Sequence, residues 1–165
     1  MKTLLFIRHA KSSWEDISQK DFDRPLNDRG KKDAPEMAAR VKEKGIKIDL
    51  IVSSPAKRAK KTASLFAEEF GIEKGDILLV DGLYEPTKEA FETAITNLPD
   101  KADTVALFSH NPTITEFVNT LSNVRIDDMP TCAVFAVSID APTWASFRSA
   151  DAAFLFFDYP KNPLG

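Results

Sequence analysis

A single cysteine, Cys132, stands in 165 residues, which excludes an internal disulfide and leaves no thiol pair at zinc spacing. That suits a reducing compartment. An excess of one charge is also missing. Lys and Arg number 22 against 25 Asp and Glu, a net charge of −3, so no global field draws the chain to nucleic acid or to a membrane. No apolar run approaches membrane-spanning length, and the first one, residues 4–7, is too short for a signal-peptide core. The expected location is the cytosol. Internal repeats, low-complexity tracts and linker-like composition shifts are absent, so one domain over 1–165 is expected. Histidine is scarce too: only two occur.

What is present alternates between two patterns. Residues 4–7, 50–52, 77–80 and 105–108 are short apolar runs, the mark of strands covered on both faces. Between them lie segments of helical spacing. The first follows the polar stretch 21–30, where Asn27 can cap it, Pro35 kinks it or delays its start, and Gly45 closes it. The second, 56–70, repeats apolar residues every three or four positions and stops at Gly71. Further helices are expected over 87–98 and 112–121. The tail differs, since 133–139, 144–147 and 153–159 read as β-like runs in hairpins, the last antiparallel at a sheet edge. Residues 159–165, with Pro160 and Pro163, read as a loose tail. The pattern predicts a three-layer α/β/α sandwich around a mainly parallel sheet.

In such a sheet, ligands bind beyond the carboxyl ends of the strands. His9 stands two residues past the first run and His110 two residues past the 105–108 run. Arg8 borders His9, and Arg58 opens the helix after the second run. Separate strands therefore deliver two imidazoles and two guanidinium groups to one rim. Without a carboxylate cluster they make a poor divalent-metal site, so neither a metal nor a cofactor is expected. They suit a tetrahedral dianion, because guanidinium forks match phosphate oxygens and a neutral imidazole nitrogen can attack phosphorus. The amides opening the 56–70 helix can add anion stabilisation.

Four strings extend this reading. They are R-H-A-K-S at 8–12, R-P-L-N-D-R-G at 24–30, S-S-P-A-K-R-A-K-K-T-A at 53–63 and S-H-N-P at 109–112. In this order they resemble the histidine phosphatase superfamily (phosphoglycerate mutase-like), and within it the short SixA-type phosphohistidine phosphatases. The resemblance implies a phosphoryl group carried on His9 and then released to water, with Arg8, Arg58 and His110 holding the phosphoryl oxygens. It departs from the usual R-H-G only at Ala10. Larger branches roof the site with insertions that this chain has no room for. An open site suits a phosphorylated side chain on a partner protein better than a small phosphate ester. No nucleic-acid or membrane partner is expected, and a monomer is.

Several residues keep two readings. Glu85, in Leu83-Tyr84-Glu85, matches the position of a proton donor in other branches, or simply favours the start of the 87–98 helix. Arg24 contacts phosphate, or pairs with Asp21 or Asp23. Lys11 and Ser12 line the pocket or belong to the loop, and Asn111 contacts substrate or turns the chain. Trp14 packs beside the entrance or is local core. Lys57, Lys60 and Lys61 read as a solvated helix face, and Phe154, Phe156 and Phe157 as sheet and core. Two further functions compete: a general small-molecule phosphomonoesterase, and a catalytically silent phosphate-binding module.

Overall fold

The fold is given by a computed structural model that describes residues 1–163. In chain order it contains β1 (Lys2–Arg8), α1 (Asp28–Glu43), β2 (Leu50–Ser53), α2 (Lys57–Phe70), β3 (Leu78–Leu79), α3 (Lys88–Thr96), β4 (Thr104–Ser109), α4 (Thr113–Val118), β5 (Val134–Ile139) and β6 (Ala152–Asp158). Six strands form one sheet in the order β3-β2-β4-β1-β5-β6. The first four strands run parallel, β5 runs against β1, and β6 against β5.

Strand periodicity divides the apolar residues between the two faces of the sheet. Leu4 and Phe6 of β1 enter one core with Val105 and Leu107 of β4, while Leu5 and Ile7 enter the other with Ala106 and Phe108. Helices α1 and α2 cover the second core through Met37 and Phe66. Helices α3 and α4 cover the first, where the Phe91 and Phe117 rings stack at 5.0 Å. The sandwich is therefore three-layered. Asn27 caps α1 by accepting from the Gly30 N–H at 2.9 Å, so the helix starts at Asp28 and continues through Pro35 without delay. Gly71 ends α2 with φ 68°, a conformation glycine takes at no steric cost.

Three expectations are corrected. Trp144–Ser149 is a 3-10 helix and no strand, since Trp144 and Phe147 are both buried three positions apart. Strand β3 shrinks to two residues at the sheet edge, with Leu78 and Leu79 half-exposed. The tail is held at its start, where Arg40 donates to the carbonyls of Tyr159 and Pro160, each at 3.0 Å. Leu164 and Gly165 lie outside the described residues. Among the described residues, no helix is long and apolar enough to cross a membrane.

Candidate active site

Strands β1 and β4 lie side by side with Arg8 opposite Ser109, so the residues that follow them meet. The rings of His9 and His110 are 5.1 Å apart, and both are almost wholly buried. The His9 N–H donates to the Ser109 carbonyl at 3.2 Å, extending the ladder one residue past the strand. The Cys132 N–H donates to the carbonyls of Arg8 and His9, both at 3.0 Å. Thr62 Oγ1 accepts from the Ala10 N–H at 2.9 Å and donates to the Arg58 carbonyl at 2.8 Å. That threonine thus ties the loop after β1 to the first turns of α2. Segment 24–30 clamps the same loop: Asn27 N–H donates to the Lys11 carbonyl at 3.0 Å, and a Cβ at Gly30 would fall onto that oxygen. Only glycine fits there.

The tautomer of His9 follows from its partner. The Ala10 carbonyl lies 2.7 Å from His9 Nδ1 and can only accept, so Nδ1 carries the proton and Nε2 the lone pair. Burial pushes the His9 pKa down to about 3, aided by the charges of Arg58 and Arg8 and opposed by the Ala10 hydrogen bond. His110 also falls to about 3, through burial and then the Arg58 charge. Both rings are neutral at physiological pH. Ser54 Oγ lies 2.7 Å from His110 Nε2 and accepts from the Ala56 N–H at 3.2 Å. Burial pushes the thiol of Cys132 up, which leaves it protonated and a poor nucleophile.

Three arginines converge on the pair, and the charges of Arg58, Arg8 and Arg24 all reach His110. Arg8 Nη1 donates to the Met129 carbonyl at 2.9 Å, which turns its fork toward the rim. Asp21 organises the other two. Arg58 donates to the Asp21 carbonyl and carboxylate at 2.7 and 3.1 Å, and Arg24 Nε donates to the same carboxylate at 3.3 Å. The Tyr84 hydroxyl donates to it at 2.8 Å, while the Tyr84 ring packs edge-on to His110 at 5.7 Å. Burial alone would raise the Asp21 carboxyl pKa, but the Tyr84 and Arg58 contacts outweigh it and hold it below its usual range. Burial and the Asp21 hydrogen bond push Tyr84 up to about 12. Even so, Arg8 Nε, Arg58 Nε, Arg24 Nη1 and His110 Nδ1 are buried without a partner in the protein. The three guanidinium donors suit an oxyanion, and His110 Nδ1 does so when it carries the ring proton.

The remaining candidates separate. Arg24 pairs with Asp21 and also stacks its guanidinium 3.5 Å from the ring centre of Trp14, which is largely exposed. Asn111 donates its amide to Asp128 and to the Met129 carbonyl and accepts from the Thr115 hydroxyl, and so braces the carbonyl that holds Arg8. Ser12 is buried and bridges to Leu26, whereas Lys11 faces a different cleft with Arg29 and Asp33. Glu85 is exposed beside Tyr84, its backbone left-handed at φ 49°. Sequence reasoning missed Asp21 as the hub, and missed Ser54 and Tyr84. Ser54 stood inside the S-S-P string; nothing in the sequence marked Asp21 above Asp23. Among the described residues, no group of three His, Cys, Asp or Glu could hold a metal ion.

The family model of the histidine phosphatase superfamily (branch 1) matches residues 4–87. The chain belongs to that superfamily. It is 30% identical over 152 residues to an uncharacterized chloroplastic protein of Arabidopsis thaliana, covering 87% of this chain and 69% of that one. A 2,3-bisphosphoglycerate-dependent phosphoglycerate mutase of Bartonella tribocorum is 33% identical over 72 residues, 42% of this chain and 35% of the mutase. Among solved structures, the protein histidine phosphatase SixA complexed with tungstate superposes with a TM-score of 0.82, at 20% identity, over 97% of this chain and 98% of its own. The mycobacterial glucosyl-3-phosphoglycerate phosphatase superposes at 0.70, with 15% identity, over 94% and 97%. At those identities the likeness concerns the fold, and the superfamily accounts for it.

Proposed function

We propose that this chain is a metal-independent phosphatase that takes a phosphoryl group onto His9, from phosphohistidine on a partner protein. The observation that carries this reading is the neutral His9 ring, its Nδ1 pinned to the Ala10 carbonyl and its ring 5.1 Å from His110, inside a set of underused guanidinium donors. Tungstate, bound by the SixA structure of the same fold, is a tetrahedral oxyanion and supports the assignment of this rim to phosphate. In the first step His9 Nε2 attacks phosphorus and the substrate's P–N bond breaks. A phosphoimidazole protonated on its far nitrogen leaves as neutral imidazole and needs no acid. Arg8, Arg58, Arg24 Nη1 and His110 Nδ1–H hold the phosphoryl oxygens as their charge shifts. In the second step water attacks phosphorus, the His9–phosphorus bond breaks, Nε2 regains its lone pair, and the product departs as dihydrogen phosphate carrying both protons of the water.

An ester substrate differs, because its alkoxide must be protonated. Glu85 is the proposed donor for that case, and would widen activity toward phosphomonoesters. The experiment is a comparison of p-nitrophenyl phosphate with a phosphohistidine peptide, with His9→Ala as control and with EDTA present. Turnover of the peptide in EDTA, abolished in His9→Ala, is expected. Dependence on added Mg²⁺ or Zn²⁺ would refute the assignment. Phosphate binding without any turnover would favour a silent binding module.

A further inference from the structure

The lysines of α2 do more than coat a helix. Lys57, Lys60 and Lys61 share a groove of about 590 Å³ with Lys31 of α1 and Lys74, which precedes β3. Among the described residues no carboxylate lines it, although Asp and Glu outnumber Lys and Arg in the chain as a whole. Its floor is apolar, formed by Leu26, Ile77 and the half-exposed Leu79 of the edge strand. Five like charges around one groove repel one another, and an anionic occupant relieves that repulsion. The groove also abuts the phosphate rim, because Lys57 precedes Arg58 and Pro25 follows Arg24 in the chain.

We infer that this groove docks an acidic segment of the phosphorylated partner protein, one carrying leucine-like side chains among its carboxylates, and so brings the phosphohistidine to His9. This rests on the phosphohistidine phosphatase reading and adds the chemistry of the substrate's flanking sequence. Carboxylates meet the lysine rim, and apolar side chains cover Leu26, Ile77 and Leu79. A nucleic acid fits less well: the groove offers no aromatic ring for a base to stack on and no arginine for bidentate phosphate contact. The net charge of −3 opposes a long polyanion as well.

The test uses the full chain and Lys57→Glu/Lys60→Glu/Lys61→Glu, which places acidic residues at a helix N-terminus, where the dipole favours them. Two synthetic phosphohistidine peptides share one core, one extended by an Asp/Glu/Leu segment and the other by a Lys/Ser segment. The wild type is expected to favour the acidic peptide about tenfold or more in kcat/KM, through KM, and added salt to erode the preference. The triple variant should lose it while keeping its kcat on p-nitrophenyl phosphate. Equal turnover of both peptides by the wild type, or an unchanged preference in the variant, overturns the proposal. Fluorescence anisotropy of the unphosphorylated acidic peptide reads docking without catalysis. Binding lost in the variant supports the groove even if no phosphatase activity is found, and absent binding in the wild type refutes it. Tighter binding of a DNA or RNA oligonucleotide than of the peptide, or a dimer dispersed by the triple substitution, also overturns it.

Discussion

Strand β1 carries a cation at each end, Lys2 buried and Arg8 half-buried, and the two ends treat theirs differently. At the start, Lys2 Nζ donates to the Asp100 carbonyl at 2.6 Å, the Ala102 carbonyl at 3.4 Å and the Asp103 carboxylate at 3.0 Å, and lies over the Trp144 ring. Trp144 Nε1 donates to the same Ala102 carbonyl at 2.8 Å. At the other end the Arg8 guanidinium makes one hydrogen bond, to the Met129 carbonyl, and keeps a buried Nε with no partner among the described residues. Four of the five such buried atoms among the described residues belong to this rim, and the fifth, Asp158 Oδ2, has Lys44 at 3.9 Å. A satisfied polar cluster contributes to folding; an unsatisfied one holds donors ready for a ligand at the expense of stability.

The comparison breaks most sharply on exchange of its two cations. Arg8→Met should lower turnover of a phosphohistidine peptide by about two to three orders of magnitude, as loss of an oxyanion donor does. Its unfolding free energy should change by less than about 1 kcal/mol, because Asn111 still donates to the Met129 carbonyl. Lys2→Met should do the reverse, costing about 1–3 kcal/mol in urea denaturation through the Asp100 carbonyl it strands, with kcat unchanged. If both substitutions moved stability alike, the contrast between the two ends would fail.

A smaller effect concerns pH. His9 and His110 have folded pKa values of about 3, far below the ordinary 6.5, so the unfolded chain takes up protons first on acidification. Their contribution to stability is complete above pH 6.5 and is lost progressively as pH falls toward 3. Urea midpoints measured across that window should drop in the wild type and drop less in His110→Asn. An identical slope in the variant would remove His110 from the account. The smallest change is expected from Glu85→Gln: little on the phosphohistidine peptide, and about tenfold or more on an alkyl ester such as β-glycerophosphate, whose alkoxide needs the proton. Equal effects on both substrates would end that role.

Much of this was legible in the sequence because burial on both faces leaves an unbroken apolar run. Residues 4–7, 50–52 and 105–108 show it, and each lies within a strand of the sheet's parallel part. The histidines and arginines were legible because they sit at fixed offsets from those runs. What was hidden depends on contacts between distant segments. Asp21 looks like any loop carboxylate until Arg58 and Tyr84, 37 and 63 residues away, converge on it. Trp144 and Phe147 mislead because aromatic residues favour strands, while their spacing of three fits a 3-10 turn. The lysines of α2 read as a solvated face because Lys31 and Lys74 complete the groove only in the fold.

Every later step depends on His9 carrying the phosphoryl group. Rapid-quench labelling with a ³²P-phosphohistidine peptide, followed by peptide mapping, tests it directly. An acid-labile, base-stable label on His9, formed within one turnover and absent in His9→Ala, is expected. A label on another residue, or undiminished turnover by His9→Ala, would contradict it.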